Sequence, residues 1–210
     1  MRALAQQVLA VDLGTSGMKA ALVAADGTVT GWAERAVALR VLPGGGAEQD
    51  PMAWWEALAE VVADLGRDHP DHLRAVTVVC ASTQGEGTIA VDHSGQPLTA
   101  CISWLDMRGA ANLRRQFGGF PSVAGLSARR VLRWLRLTGG MPSVTGKDPA
   151  AHMLLIRDQF PEWAEMPVRQ VASHGTVNAI FRIGTELVAR LPIELGDAET
   201  VVVSSAIREG

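Results

Sequence analysis

The stretch "VLAVDLGTSGMK", Val8–Lys19, decides how this chain reads. An apolar run, Val8 to Val11, leads into the carboxylate Asp12. Gly14, the hydroxyls Thr15 and Ser16, and Gly17 follow; after Lys19 the apolar run resumes. Residues 7–13 read as a buried strand and residues 18–24 as a second, so the residues between them predict a tight turn. Gly14 and Gly17 let the backbone come closer than side chains would allow. Successive amides in such a turn can form an anion-binding nest, with the Thr15 and Ser16 hydroxyls as further donors. Asp12, at a strand end, can hold Mg²⁺ directly or through water, because that ion takes oxygen ligands and keeps several waters. The set suits a nucleotide polyphosphate with its metal. An ordinary β-hairpin of turn-forming residues accounts for the same stretch as well. It is neither a GxxxxGK[ST] loop nor a GxGxxG fingerprint.

Outward from this hairpin, Asp26-Gly27 signals another turn, and residues 28–41 alternate loosely like a third, more exposed strand. Three strands joined by short turns make an antiparallel meander. Pro43-Gly44-Gly45-Gly46 breaks the chain. Asp50-Pro51 then offers an N-cap followed by proline in the first helical turn. Met52, Trp55, Leu58, Val62 and Leu65 recur at three- and four-residue spacing and predict an amphipathic helix ending near Gly66. Residues 74–81 read as a central buried strand. Residues 87–92 and 100–104 read as further strands, with Ser94-Gly95 turning between them. Helical patterns follow at 106–117, 126–137 and 148–158.

Further chemistry-bearing residues lie around those strands. Gln84, Gly85 and Glu86 follow the buried strand in a glycine-rich turn, and Asp106 and Arg108 follow the strand that ends at Trp104. Amide, carboxylate and guanidinium groups match a polyol, whose hydroxyls both donate and accept. Trp104 can stack on an apolar sugar face. The alternative is that these are loop residues, with Asp106 capping the next helix and Trp104 in the core.

Composition narrows the classes. The chain has 210 residues, 48% apolar and 20% charged, with a net charge of -3. That suits a core-forming globular protein and gives no basic surface for nucleic acid or anionic membrane. Two cysteines without a CxxC pair argue against a disulfide framework or zinc ribbon and suit the cytoplasm. No apolar stretch approaches a membrane span, and Asp12 interrupts the first apolar run too early for a signal peptide. Asp68-His69-Pro70-Asp71-His72 reads as turn chemistry rather than a metal site. His152 and His174 stand alone. The paired arginines at 114–115 and 129–130 read as solvated helix faces.

Three segments together carry a resemblance. "VDLGTSGMKAAL" resembles the first phosphate-binding hairpin of the FGGY family of carbohydrate kinases. "GGGAEQDPMAWWEAL", residues 44–58, resembles that family's Glu-Gln-Asp-Pro and Trp-Trp helix start. "VCASTQGEGTIAVDHSGQPLTACISWLDMRG", residues 79–109, resembles its Gln-rich turn and Trp-x-Asp-x-Arg sugar block. They occur in the family's order, over roughly residues 7–160. The resemblance implies an α/β fold: a ribonuclease H-like (actin-like ATPase) first lobe, with a mixed sheet holding a three-strand antiparallel meander flanked by helices. It implies ATP and Mg²⁺ as cofactors and a sugar or polyol as substrate. Asp12 would organise the metal, and Gly14, Thr15, Ser16, Gly17 and Lys19 would hold phosphate. Gln84, Gly85, Glu86, Asp106 and Arg108 would line the sugar site. Gly85-Glu86 departs from the Arg-Glu of glycerol kinases and the Met-His of xylulose kinases, so neither substrate follows.

In that family the catalytic base lies in a later Gly-x-x-Asp segment, and a second domain holds adenine. Neither is recognisable here; Gly196-Asp197 is only a formal candidate. Residues 1–162 therefore read as an incomplete N-terminal kinase domain and 163–210 as an unrecognised tail, divergent or frameshifted. The chain alone is expected to show little kinase activity. The rival expectation is a non-catalytic sugar-binding or regulatory module, or a remnant without function. A homo-oligomer or a partner chain supplying the second lobe are both compatible with the sequence.

Overall fold

The computed structural model describes residues 6–163, except His93 and Gly139, and the backbone of three later strands within 168–192. Strand β1 (Gln7–Gly14) pairs antiparallel with β2 (Gly17–Ala24), which pairs antiparallel with β3 (Val29–Ala36). The predicted meander is thus present. The predicted third strand ends early, however. Its last residues form a separate short strand, β4 (Arg40–Leu42), which turns back through Gly44 and Gly45, both at positive φ, into β5 (Gly46–Gln49).

Helix α1 (Pro51–Asp68) starts where the sequence places it, with the Asp50 carboxylate accepting the Met52 N–H at 2.9 Å. Its buried row is Ala57, Val61 and Leu65, one residue every turn. Met52 and Trp55, expected on the buried face, point outward, Trp55 at 67% exposure. The helix lies on β2 and β3, and its buried row joins Leu9, Leu13, Met18, Ala20, Leu22 and Val37 in one core. Arg35 of β3 bonds Glu60 and Asp64 on the helix and ties the layers at their rim.

The short helix α2 (Pro70–Arg74) leads into β6 (Val76–Thr83), which runs parallel to β1. The sheet order is β3-β2-β1-β6, a mixed sheet. Here an expectation fails: β6 is an edge strand among the described residues, not a central buried one. Val79 is 63% exposed and Val78 54%. An apolar strand pattern reports what a strand can bury, but α1 is seated over β2 and β3, so Val78 and Val79 stay uncovered on opposite faces of this edge strand.

Residues 87–92 form only isolated bridges, Thr88 with Ile102 and Val91 with Pro97. Of 100–104 only β7 (Cys101–Ile102) is a strand, and it pairs with β5. The hairpin β8 (Ser122–Val123) and β9 (Leu126–Ser127) precedes α4 (Ala128–Thr138), after α3 (Ala110–Phe117); α5 (Pro149–Gln159) packs on α3. Helix α3 begins four residues later than expected, because residues 106–109 form a turn around the Asp106 carboxylate. In the tail, β10 (Val168–Val171), β11 (Asn178–Ile183) and β12 (Leu187–Pro192) form an antiparallel sheet in chain order. His174 and Gly196-Asp197 lie outside the described residues.

Candidate active site

Register sets the first half of the site. Gly14 faces Gly17 across a two-residue turn, Thr15-Ser16, and none of the four has a positive φ. The two glycines differ. A methyl on Gly17 would overlap the Arg35 carbonyl oxygen and stand 3.2 Å from Ala36 Cα. A methyl on Gly14 would meet only Gly17 O at 3.6 Å and Asp12 Oδ2 at 4.0 Å, which are ordinary contacts. Gly17 is therefore demanded by the close approach of β2 and β3, whereas Gly14 is not demanded by packing.

Asp12, Lys19 and Glu34 form a row across the sheet: Asp12 faces Lys19, Lys19 faces Glu34, and on the other side Asp12 faces Ser82 of β6. Alternation puts this row on the sheet surface opposite α1. Asp12, Ser16 and Lys19 are exposed. The Asp12 carboxylate makes no hydrogen bond or ion pair with the described residues. Beside the turn, a cleft of about 330 Å³ is lined by Ser16, Gly17, Met18, Lys19, Glu34, Arg35 and Ala36.

The second half of the site comes from three separate segments. Gln84 follows β6 directly, and its N–H bonds Leu13 O at 2.7 Å. Its side chain accepts from the Thr15 hydroxyl at 3.0 Å and donates to Gln49 Oε1 at 2.6 Å. The Trp104 indole N–H donates to Thr15 Oγ1 at 3.0 Å. The structure thus joins Thr15, Gln84 and Trp104, which lie far apart in sequence. These bonds also engage the Thr15 hydroxyl proton and both ends of the Gln84 amide within the protein.

Glu86 sits at φ 57°, the left-handed region that a side chain disfavours. Gly85 beside it has open space where a Cβ would be, while a Cβ on Gly87 would crowd Cys101 Sγ at 2.9 Å. Glu86 is exposed as a residue, but partial desolvation of its carboxyl, and then the charge of Asp148, raises its pKa above the ordinary value. The Trp104 ring carries the Lys147 ammonium at 5.7 Å from its centroid, on a face expected to stack on sugar.

Asp106 and Arg108 are placed differently from the sequence expectation. Asp106 is fully buried. Its Oδ2 accepts from Ala47 N–H at 2.9 Å and from Arg108, and its Oδ1 accepts from Arg108 N–H at 2.8 Å. Arg108 also reaches Glu48 at 2.6 Å. Burial acts to raise the Asp106 pKa, but the Arg108 and Ala47 hydrogen bonds outweigh it and hold the carboxyl below its usual range. Asp106 is a latch between β5 and the segment after β7, with no oxygen presented to a ligand. The helix-cap alternative came nearer, since its carboxylate does organise the turn before α3.

Sequence reasoning missed four residues around this site. Gln49 is fully buried and stood in a quoted motif, but nothing in its spacing distinguished it. Lys147 and Asp148 precede α5 and meet the site only through folding. His152, read as a lone histidine, is fully buried with Nδ1 3.2 Å from Thr88 Oγ1 and Nε2 3.4 Å from Asp106 O. Burial lowers its pKa below the ordinary value. Asp68–His72 spans the junction between α1 and α2. Among the described residues no group of three or more His, Cys, Asp or Glu could hold a metal. No helix among them is long and apolar enough to cross a membrane.

Comparisons with known proteins agree on one family. A xylulose kinase from Streptomyces coelicolor is 32% identical over 139 residues, 66% of this chain and 26% of its own length. A glycerol kinase from Gloeobacter violaceus is 30% identical over 196 residues, covering 76% of this chain and 39% of its own. The solved structure of a xyloylose kinase from Brucella ovis superposes with a TM-score of 0.65 at 24% identity, over 75% of this chain and 30% of its own. That likeness carries the fold, an actin-like ATPase lobe. The chain thus spans between about a quarter and two-fifths of the length of these relatives. The family described as "FGGY family of carbohydrate kinases, N-terminal domain" matches residues 7–116, more than half of the chain, and this protein belongs to that family.

Proposed function

We propose that this chain supplies the phosphate-side hairpin and the acceptor segment of an ATP-dependent sugar or polyol kinase. The observation that carries the reading is the Thr15 turn, hydrogen-bonded at once to Gln84 and to Trp104. It puts a turn suited to phosphate beside a segment suited to hydroxyls, within the N-terminal domain of a carbohydrate kinase family. Phosphoryl transfer is mostly positioning and charge stabilisation, so such a juxtaposition is what the reaction requires.

In this reading the backbone N–H groups of residues 14–17, the Ser16 hydroxyl and Lys19 receive phosphate oxygens. Thr15 acts through its position, because its proton already goes to Gln84. Gly14 leaves room for close approach. Asp12 is a free, exposed carboxylate and fits Mg²⁺, which is commonly bound through one or two carboxylates, substrate phosphates and water. The metal would supply charge neutralisation on the phosphates. Glu86, held at the tip of an open turn, accepts hydrogen bonds from acceptor hydroxyls, and Gly85 leaves space there for the acceptor's bulk. Gln84, Asp106 and Arg108 hold this arrangement from behind. A group to take the acceptor proton is not assigned among the described residues, so the chain alone should release little ADP. We read residues 1–162 as the domain and 163–210 as a separate tail.

Calorimetry on the 210-residue protein tests this reading. Mg-nucleotide and a panel of polyols, pentuloses and aldonates should each bind, and Glu86→Gly should lose polyol binding while remaining folded. That substitution also relieves the left-handed backbone at Glu86, so reduced stability cannot account for the loss. Polyol binding without nucleotide binding would favour a non-catalytic module; binding of neither would sink the reading.

A further inference from the structure

We propose that Gln49 is a positioning residue: its buried amide closes a one-way hydrogen-bonded ring that fixes the Thr15 turn to the acceptor segment at Gln84 and Trp104. The inference rests on the functional reading above for what the two segments bind, but not for the ring itself.

The direction of the ring follows from donor chemistry. An indole N–H can only donate, so Thr15 Oγ1 accepts from Trp104 at 3.0 Å and turns its own proton elsewhere. That proton goes to Gln84 Oε1 at 3.0 Å. With its oxygen engaged, Gln84 presents Nε2 to Gln49, whose Oε1 accepts at 2.6 Å. Gln49 is left with its own NH₂, which donates to the Thr15 carbonyl at 2.9 Å. A carbonyl can only accept, so the ring closes without conflict. One end is fixed by a group that only donates and the other by a group that only accepts. Flipping Gln49 would set donor against donor at Gln84 and acceptor against acceptor at the Thr15 carbonyl, and flipping Gln84 would set its oxygen against that of Gln49.

Four chain segments meet here: the β1–β2 turn, the end of β5, the turn after β6 and the segment after β7. Gln49 is fully buried, so water cannot take over its bonds. Hydrogen bonds arranged head to tail polarise one another, and losing one member weakens the rest. The Gln49 side chain bonds Gln84 and the Thr15 carbonyl, not the Trp104 indole or the turn amides expected to meet phosphate, yet it sets both through Thr15. It acts through other residues and is not itself catalytic.

The Trp104 indole N–H resonance is a reporter outside Gln49's own contacts. The full chain is labelled with ¹⁵N-tryptophan, and the Trp104 signal is assigned with Trp104→Phe. Gln49→Met, of similar length but without either hydrogen bond, should move the ligand-free Trp104 signal away from its hydrogen-bonded position. Gln49→Glu, which accepts from Gln84 but cannot donate to Thr15, should move it in the same direction. If Gln49→Met fails to fold, Thr15→Val opens the ring at a partly exposed turn, and Thr15→Ser should restore the signal. An unmoved Trp104 resonance in whichever of Gln49→Met and Gln49→Glu folds overturns the proposal; if neither folds, an unmoved resonance in Thr15→Val does. With Mg-ADP and polyol added, Gln49→Met should weaken both by about tenfold if the segments are aligned together; weakening of one alone overturns the coupling. A wild-type signal that ignores both ligands counts against the kinase reading, and the ligand-free comparison still decides the ring.

Discussion

The two glycines of the 14–17 turn should separate under the same substitution. Gly17→Ala places a methyl over the Arg35 carbonyl oxygen and 3.2 Å from both the Arg35 carbonyl carbon and Ala36 Cα. These are backbone atoms of β3, held by the ladder to β2 and by Arg35's bonds to Glu60 and Asp64 on α1. Overpacking of a well-packed site costs about 1–3 kcal/mol, and backbone yields less than a side chain, so the upper end applies. Gly14→Ala meets nothing closer than 3.6 Å and has negative or extended φ. Its effect should be near zero or slightly stabilising, since alanine restricts the unfolded chain by about 0.4–1 kcal/mol. Urea unfolding followed by tryptophan fluorescence reads the difference. With a slope of about 2 kcal/mol/M, Gly17→Ala should lower the midpoint by about 1.5 M, and Gly14→Ala should leave it in place. Equal loss in the two variants would refute the assignment of Gly17 to packing and of Gly14 to ligand approach. The folded Gly14→Ala protein should then bind Mg-nucleotide more weakly, because its methyl stands in the space left beside the turn.

Two further outcomes follow from the latch and from the buried histidine. Asp106→Ala removes a buried carboxylate and strands Arg108, with an 18% exposed side chain, and the Ala47 N–H; stability should fall by about 3 kcal/mol. A thermal or urea measurement showing less than about 1 kcal/mol would remove the latch from this account. His152 has its folded-state pKa lowered by burial, so between that value and its ordinary 6.5 the unfolded chain binds the proton and the folded chain does not. Its contribution is complete above pH 6.5 and is lost as the solution is acidified toward the folded pKa. Stability measured from pH 8 to 5 should decline below about 6.5, and His152→Gln should flatten that part of the profile. An unchanged profile in the variant would assign the decline to other groups. Asp106, Asp148 and Arg108 also act on His152, so the comparison is made between the two proteins at each pH.

Local chemistry was legible in the sequence wherever it needed only neighbours along the chain. The hairpin at 14–17, the turn at Asp26-Gly27 and the Asp50 cap of α1 appear where the residues place them, because each rests on groups within about five positions. The face of α1 was not legible. Met52 and Trp55 belong to the same periodic pattern as Leu65, but β2 and β3 meet the helix along Ala57, Val61 and Leu65, and small Ala57 scores weakly in any apolar pattern. Nor was the position of β6: composition marks a strand as apolar, whereas coverage depends on what packs beside it.

The site divides along the same line. From the sequence alone came the residue types: a carboxylate and hydroxyls in a tight turn, and amide, carboxylate and guanidinium groups in two later turns. The tertiary structure decided which of these are free. Asp12, Ser16, Lys19 and Glu86 are exposed. Asp106 and Gln84 are bound into the protein by hydrogen bonds from groups 59 and 69 positions away. A side chain's chemistry is written in its name, but its availability depends on whether the fold supplies it with partners. For Thr15 those partners come from Gln49, Gln84 and Trp104, residues that only folding brings together.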